Sequence, residues 1–497
     1  MNVTVIVICL IIIVILFEIF DRVKNKRKYE LLKQFPSYPK YPLIGNALMI
    51  FGPMNDVLTR FDKLLEPYDR LVFWLCSVPV LFLKKHEDIV TILSQSHHRD
   101  MLGLATEWIG TGILNEEYEE WKKSRRILAP AFSSEMLSKY MDTFNEQSLA
   151  LVNTFKKVAD TGEVINVCDY LTKANIHTII ENSIGVSIQS TGEKGEKSAE
   201  AVYAAFHNIA IRIITPWLHP SFIYNVYLKI TGKSDIVKQL HSLPTEILKD
   251  KVAKYRNEKQ QFDHVDSSKT IMDQLIKGGL QEPSFTETRM RDELLQIIAA
   301  AVETSSMNAC FLMLMLAIHQ DVQQKVYEEI TQLLENHEKV TPDHAFNHMK
   351  YLEQCIMETT RVYTQSVATL RRTHKECVLK DGKIVPENTL VFLALHWVHY
   401  DKDLYKNPFK WDPENFNEQV EQSRPKNSLL SFGYGPRSCL GQKYAMMTIK
   451  TQIAHILRNY HLSTNMKEFA YDNLTGDVAI RSKIGYPIKF TSRQKLM

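Results

Sequence analysis

Cys439 stands in the stretch FGYGPRSCLGQ, residues 432–442, with Gly433, Gly435 and Gly441, a proline and an arginine around it. A cysteine thiolate can ligate a soft metal or attack an electrophile. The nearest other cysteine is Cys377, so no local CxxC pair for zinc or redox exchange is present. The partners of Cys439 must therefore come from elsewhere in the chain.

Three other clusters carry chemistry. From Gln296 to His319 the sequence QIIAAAVETSSMNACFLMLMLAIH has one formally charged residue, Glu303. A helix apolar nearly all round is a membrane span or a buried central helix, and the polar group Glu303, Thr304, Ser305, Ser306 and Asn308 argues for the protein interior. A buried carboxylate is costly unless paired or used. Either Glu303 meets an arginine, or Glu303 and Thr304 line a cavity where protons are delivered. Ala299, Ala300 and Ala301 leave room for a flat ligand against the backbone, or are ordinary packing. Glu358 and Arg361, three apart, share a helical face, as a surface pair or as part of a larger network. Trp121 and Arg125, four apart, either begin an exposed basic helix or face an anionic ligand together.

The elements that must position these residues read as mainly helical, over 114–157, 170–185, 199–230, 235–257, 287–336 and 350–363. Small β elements are expected at 70–85, around the Asp381-Gly382 turn, and as an edge strand at GYPIKF. QSTGEKGEKS, from 189, reads as a surface loop. The 497 residues carry a net charge of +3 without a long basic stripe, so nucleic acid is not an expected partner. Seven irregularly spaced cysteines suit a reducing compartment better than a disulfide framework.

Val3–Phe20 is almost continuously apolar and, as a helix, would be roughly 27 Å long, near a bilayer's hydrocarbon thickness. Arg22, Lys24, Lys26, Arg27 and Lys28 follow it, which the positive-inside rule places in the cytosol. The organisation expected is a transmembrane anchor over 1–21, a basic and proline-rich linker over 22–46, and one catalytic domain over 47–497.

Taken in order, Trp121-x-x-x-Arg125, Ala300-Ala301-Val302-Glu303-Thr304, Glu358-x-x-Arg361 and Phe432-x-x-Gly435-x-Arg437-x-Cys439-x-Gly441 resemble the cytochrome P-450 family across essentially the whole chain. The region EWIGTGILNEEYEEWKKSRRILAPAF, from 107, is similar to the fatty-acid ω-hydroxylase branch and its insect relatives. The resemblance implies the cytochrome P-450 fold behind a single amino-terminal transmembrane helix. It implies haem b, bound non-covalently, with Cys439 as axial iron ligand. Trp121, Arg125, Arg371 and Arg437 would neutralise the haem propionates, Phe432 would pack near the sulfur, and Gly435 and Gly441 would allow close approach. Glu358 and Arg361 would be a structural pair, and Glu303 with Thr304 the acid-alcohol pair that delivers protons.

The implied activity is a monooxygenase reaction inserting one atom of O2 into an apolar small molecule, a fatty acid, hormone, odorant or xenobiotic. Electrons would come from NADPH through a flavoprotein reductase, with Lys122, Lys123, Arg126 and Lys443 either a basic docking face or plain solvated cations. The implied location is the endoplasmic reticulum membrane, single-pass, with the catalytic domain on the cytosolic face. A haem-thiolate isomerase or dehydratase, or a non-catalytic haem-binding protein, are the alternatives. Three departures from the family pattern stand out. Ala301 replaces the usual glycine, and Ala300 removes the glutamate that links haem covalently in some relatives. Asn415 replaces an arginine, so the third partner of the Glu358–Arg361 pair is expected to be missing or replaced by backbone.

Overall fold

The computed structural model describes residues 12, 15, 16, 19–42, 44–53, 56–96, 98, 99, 102–257, 269–476 and 479–493. Two apolar runs split by a short turn fold 70–83 into a hairpin, β1 (Arg70–Leu75) and β2 (Val78–Leu83). With β3 (His98–Arg99), β4 (Thr369–Arg372) and β5 (Leu390–Leu393) they form a five-stranded sheet in the order β1-β2-β5-β4-β3. The β2–β5 pair is parallel and the others antiparallel. Strand β4 carries Arg371.

The helices that build the site are α1 (Tyr118–Leu128), α2 (Met141–Thr161), α3 (Cys168–Ile184), α4 (Glu287–Ile318), α5 (Lys350–Val362) and α6 (Gln442–Asn459). Helix α4 is the axis of the core, packed against α3, α5 and α6. It begins where the Thr286 side chain accepts the N–H of Arg289, a serviceable N-cap, and ends at His319, whose φ of −97° and ψ of 81° leave the helical region.

The boundaries differ from the sequence expectation where local chemistry overrides periodicity. The single helix expected over 114–157 is broken at a turn containing Pro130, and that over 287–336 at His319. The loop expected from 189 is helical from Gly192 onward, supported by a Lys197–Glu193 pair at 2.6 Å one turn apart. Pro487–Ser492, expected at an edge, is the middle strand of a three-stranded sheet, between Val164–Asn166 and Tyr460–Ser463.

The expectation of an amino-terminal transmembrane helix is corrected. Among the described residues, the one helix long and apolar enough to cross a membrane is α4, in mid-chain, and 83% of its most apolar window is buried inside the protein. It is a core helix, hydrophobic all round because protein surrounds it. Most of Val3–Phe20 lies outside the described residues. The fold is therefore a mainly helical one with small sheets, and neither a membrane partner reached through an amino-terminal helix nor a single-pass endoplasmic reticulum location is carried further.

Candidate active site

The loop 430–441 is held as a rigid unit before α6. Leu430 N–H donates to His399 Nε2 at 2.9 Å, Ser431 Oγ donates to the Thr360 carbonyl at 2.8 Å, and Cys439 N–H donates to the Phe432 carbonyl at 2.8 Å. Gly435 has φ +74°, and a Cβ there would lie 2.7 Å from the Leu93 carbonyl oxygen, so only glycine fits. Gly441 differs: its φ is −90° and the nearest neighbour of a Cβ would be a Phe132 ring carbon at 3.9 Å. Its glycine is not required by this backbone.

The loop closes one side of an internal cavity containing about 1470 Å³ of space free of protein atoms, part of it open to solvent. Cys439, Phe432, Arg437, Trp121, Arg125 and Arg371 all line it. Helix α4 lines the same cavity, contributing Ile297, Ala300, Ala301 and Thr304. The sequence clusters thus converge on one volume.

Three arginines face it in different settings. Arg125 is half-buried, and its Nη1 donates to the Ser438 carbonyl at 3.1 Å; burial lowers its pKa, with the Cys439 sulfur acting in the opposite direction. Arg437 is 4% exposed, lies 4.4 Å over the Trp121 ring, and donates to the carbonyls of Ile113 (3.2 Å) and Glu116 (2.7 Å). Arg371 Nη1 donates to Thr369 Oγ1 and to the Leu370 carbonyl.

Glu303 and Thr304 point differently. Thr304 lines the cavity and its hydroxyl donates to the Ala300 carbonyl at 2.8 Å. Glu303 is 4% exposed, is not among the cavity-lining residues, and accepts from Arg481 Nε at 3.0 Å and Nη2 at 2.5 Å. The reading in which this carboxylate meets an arginine is the one the geometry favours. A helical step of one residue turns the side chain about 100°, which separates neighbours onto different faces.

Glu358 and Arg361 pair with each other, and Asn415 does contribute: its Nδ2 donates to Glu358 Oε1 at 3.0 Å, beside the Asp412 N–H at 2.8 Å. Of the expectation that the third partner is missing or replaced by backbone, the backbone contact is present at the Asp412 N–H, and the loss of the side-chain contact is corrected, because the Asn415 amide reaches the carboxylate directly. Of the proposed docking cations, Lys122, Lys123 and Arg126 form ion pairs with Glu119, Glu120 and Glu282.

Sequence reasoning missed Asp292, Glu293 and Gln296 at the start of α4, which accept backbone N–H groups from Thr111, Ile113 and Leu114. Their signal was three polar residues opening an apolar helix, together with a GTG tripeptide at 110–112 able to approach them.

A model of the family described as cytochrome P450 matches residues 36–487. The chain is 27% identical to cytochrome P450 4g1 of Drosophila melanogaster, covering 96% of this chain and 92% of the relative. It is 24% identical to cytochrome P450 4c21 of Blattella germanica, over 92% and 93%. Among solved structures, the cytochrome P450DA haem domain superposes with a TM-score of 0.76 at 17% identity, over 93% of this chain and 98% of that one. With the family model spanning nearly all of the helical and sheet scaffold, the chain belongs to the cytochrome P450 family and is a haem-thiolate monooxygenase type of enzyme.

Proposed function

We propose that this chain holds haem b non-covalently through Cys439 and inserts one oxygen atom from O2 into an apolar small molecule, such as a fatty acid, hormone, odorant or xenobiotic, with electrons from NADPH supplied through a flavoprotein reductase. The observation that carries the reading is the convergence of Cys439, Arg125, Arg371, Arg437 and Thr304 on one cavity. The donor set fits haem. An exposed thiol at a glycine-containing turn supplies a soft ligand. Arg125 has a carbonyl partner and, among the described residues, no carboxylate, so a propionate would complete its hydrogen bonding.

Haem iron with a thiolate ligand supplies the activation of dioxygen when it is bound. The chain's own residues do the rest. Phe432 holds the Cys439 backbone through its carbonyl, fixing where the sulfur stands. Arg125, Arg371 and Arg437, with Trp121, would hold the propionates. Ile113, Leu114, Ile297 and Ala301 present an apolar wall to the substrate and exclude water from it. Thr304 is the cavity's alcohol: its hydroxyl, now donating to the Ala300 carbonyl, can hold a proton or a water at the reacting face. Ala300 offers no carboxylate for an ester to haem.

Purified holoenzyme with reductase and NADPH tests this. The reduced carbonyl spectrum is expected to be of the thiolate type, and Thr304→Ala is expected to release severalfold more peroxide per NADPH while forming less product. A Thr304→Ala variant with unaltered coupling, or a Cys439→Ser variant with the parental spectrum and rate, overturns the reading.

A further inference from the structure

The first three turns of α4 carry more buried polarity than their surroundings explain. Asp292 is 8% exposed, and Glu293 and Gln296 are fully buried. All three reach across to the segment 110–116. Asp292 Oδ2 accepts the Thr111 N–H at 3.2 Å, Glu293 Oε2 accepts the Ile113 N–H at 2.9 Å, and Gln296 Oε1 accepts the Leu114 N–H at 2.7 Å. Gln296 Nε2 donates in return to the Gly110 carbonyl at 3.1 Å and to Asn115 Oδ1 at 2.9 Å. The approach is so close that a Cβ on Gly110 would stand 2.0 Å from the Asp292 carboxyl carbon, and one on Gly112 would stand 2.8 Å from the Glu293 carboxylate.

The other side of the same segment serves the cofactor end of the cavity. Ile113 and Glu116 turn their carbonyls to Arg437, two residues before Cys439. Glu293 therefore fixes the N–H of a residue whose C=O anchors a cavity arginine. Around Glu293 stand Glu116 and Arg289, the latter bonded to Glu116 Oε1 at 2.7 Å, and Ser124, whose Oγ donates to Glu116 Oε2 at 2.6 Å.

Resting on the assignment of Arg437 to the haem propionates, we infer that Glu293, supported by Gln296, is a positioning residue for the haem clamp: it templates the 110–116 segment whose carbonyls hold the Arg437 guanidinium in place. A buried carboxylate is destabilising unless its oxygens are used. Here the used oxygen meets a backbone N–H that nothing else satisfies in the described residues, and the glycines at 110 and 112 give the space for that contact.

The test is the rate at which holoenzyme loses haem to a large excess of apomyoglobin, followed by the Soret band, for the parent, Glu293→Gln, Glu293→Leu, Gln296→Leu, Arg437→Ala and the Glu293→Leu/Arg437→Ala double variant. Glu293→Gln keeps an acceptor for Ile113 and is expected to stay within about threefold of the parent, whereas Glu293→Leu is expected to lose haem about tenfold faster. Gln296→Leu should follow in the same direction and keeps the inference testable if the leucine at 293 prevents folding. The double variant should be no faster than Arg437→Ala alone, because both act on one contact. The order of haem-loss rates should not follow the order of urea midpoints, as it would if Glu293 only supported the fold.

Parental haem loss in Glu293→Leu or Gln296→Leu, equal acceleration by Gln and Leu at 293, or additive effects in the double variant would each overturn the inference. Parental haem loss in Arg437→Ala would instead overturn the propionate assignment beneath it.

Discussion

Glu358 and Arg361 meet in the complete absence of solvent: both side chains are 0% exposed, and Arg361 Nε and Nη2 donate to the two carboxylate oxygens at 2.7 and 2.8 Å. The remaining guanidinium protons go to the carbonyls of His399, Pro408 and Lys410. His399 in turn receives the Leu430 N–H through its ring, so the pair is wired to the start of the cysteine loop. Every polar atom of the pair has a partner, which is the condition under which a buried ion pair is tolerated.

Removing one partner should therefore be severe. Arg361→Ala is expected to destabilise the fold by about 3–5 kcal/mol, since it leaves a buried carboxylate without its counter-charge and the carbonyls of His399, Pro408 and Lys410 without the guanidinium donors. Asn415→Ala removes one hydrogen bond from a carboxylate that keeps others, and is expected to cost about 1–2 kcal/mol. Urea unfolding of the two variants checks the ranking.

The Glu303–Arg481 pair gives a second expectation. Arg481→Ala leaves Glu303, 4% exposed, without its guanidinium, while the Arg481 side chain itself is 28% exposed. A loss of about 2 kcal/mol is expected, smaller than for a fully enclosed pair because water can reach the site. Glu303→Gln in the Arg481→Ala background should recover part of that loss, because the uncompensated charge is gone. Urea midpoints of the two single variants and the double variant measure it; a double variant no better than Arg481→Ala would show that charge is not the cause.

The sequence motifs located the cavity because each one is a local pattern: Cys439 in its glycine-containing loop, Trp121 and Arg125 one turn apart, Thr304 in an apolar helix. What they could not reveal is which way a side chain turns once its helix is packed. Glu303 and Thr304 are adjacent in sequence and face different surroundings, because α4 is enclosed on all sides and the carboxylate finds Arg481 on a strand nearly two hundred residues later. The polar opening of α4 at Asp292 and Glu293 could be noticed, but not what it pairs with: its partners are backbone N–H groups of 111 and 113, and no side-chain pattern records a backbone N–H. Helix ends were misjudged where proline or a backbone turn at His319 interrupts an unbroken apolar period.

Glu293 also imposes a pH dependence. Burial, its largest influence, pushes the carboxyl up to about 7 from the usual 4.5, with Glu116 adding to the rise, and Ser124, the Ile113 N–H and Arg289 opposing it. The native state then holds a proton between pH 4.5 and 7 that the unfolded chain has released, so this group's contribution to stability falls as pH rises through that window and is flat above it. Glu293→Gln removes the titration. Its stability relative to the parent is expected to rise across the window and to reach an advantage of about 3 kcal/mol at pH 8. Urea unfolding of both proteins from pH 4.5 to 8 checks the slope; parallel profiles would exclude it.

Two glycines of the cysteine loop should respond very unequally to the same substitution. Gly435→Ala forces a non-glycine residue to φ +74° and brings its Cβ to 2.7 Å from the Leu93 carbonyl oxygen, a backbone atom that cannot swing aside. Strain of the left-handed backbone alone is about 1–2 kcal/mol, and the clash adds to it. Because the Gly435 carbonyl accepts the Ser438 N–H at 3.0 Å, next to Cys439, the distortion should also displace the sulfur and lower the haem content of the purified protein. Gly441→Ala meets only a ring carbon at 3.9 Å with an ordinary φ of −90°, so its stability should change by less than about 1 kcal/mol. Haem content per chain and the urea midpoint of the two variants decide the matter, since a loop that tolerates alanine at 435 as readily as at 441 would not be the rigid frame on which the position of the Cys439 sulfur depends.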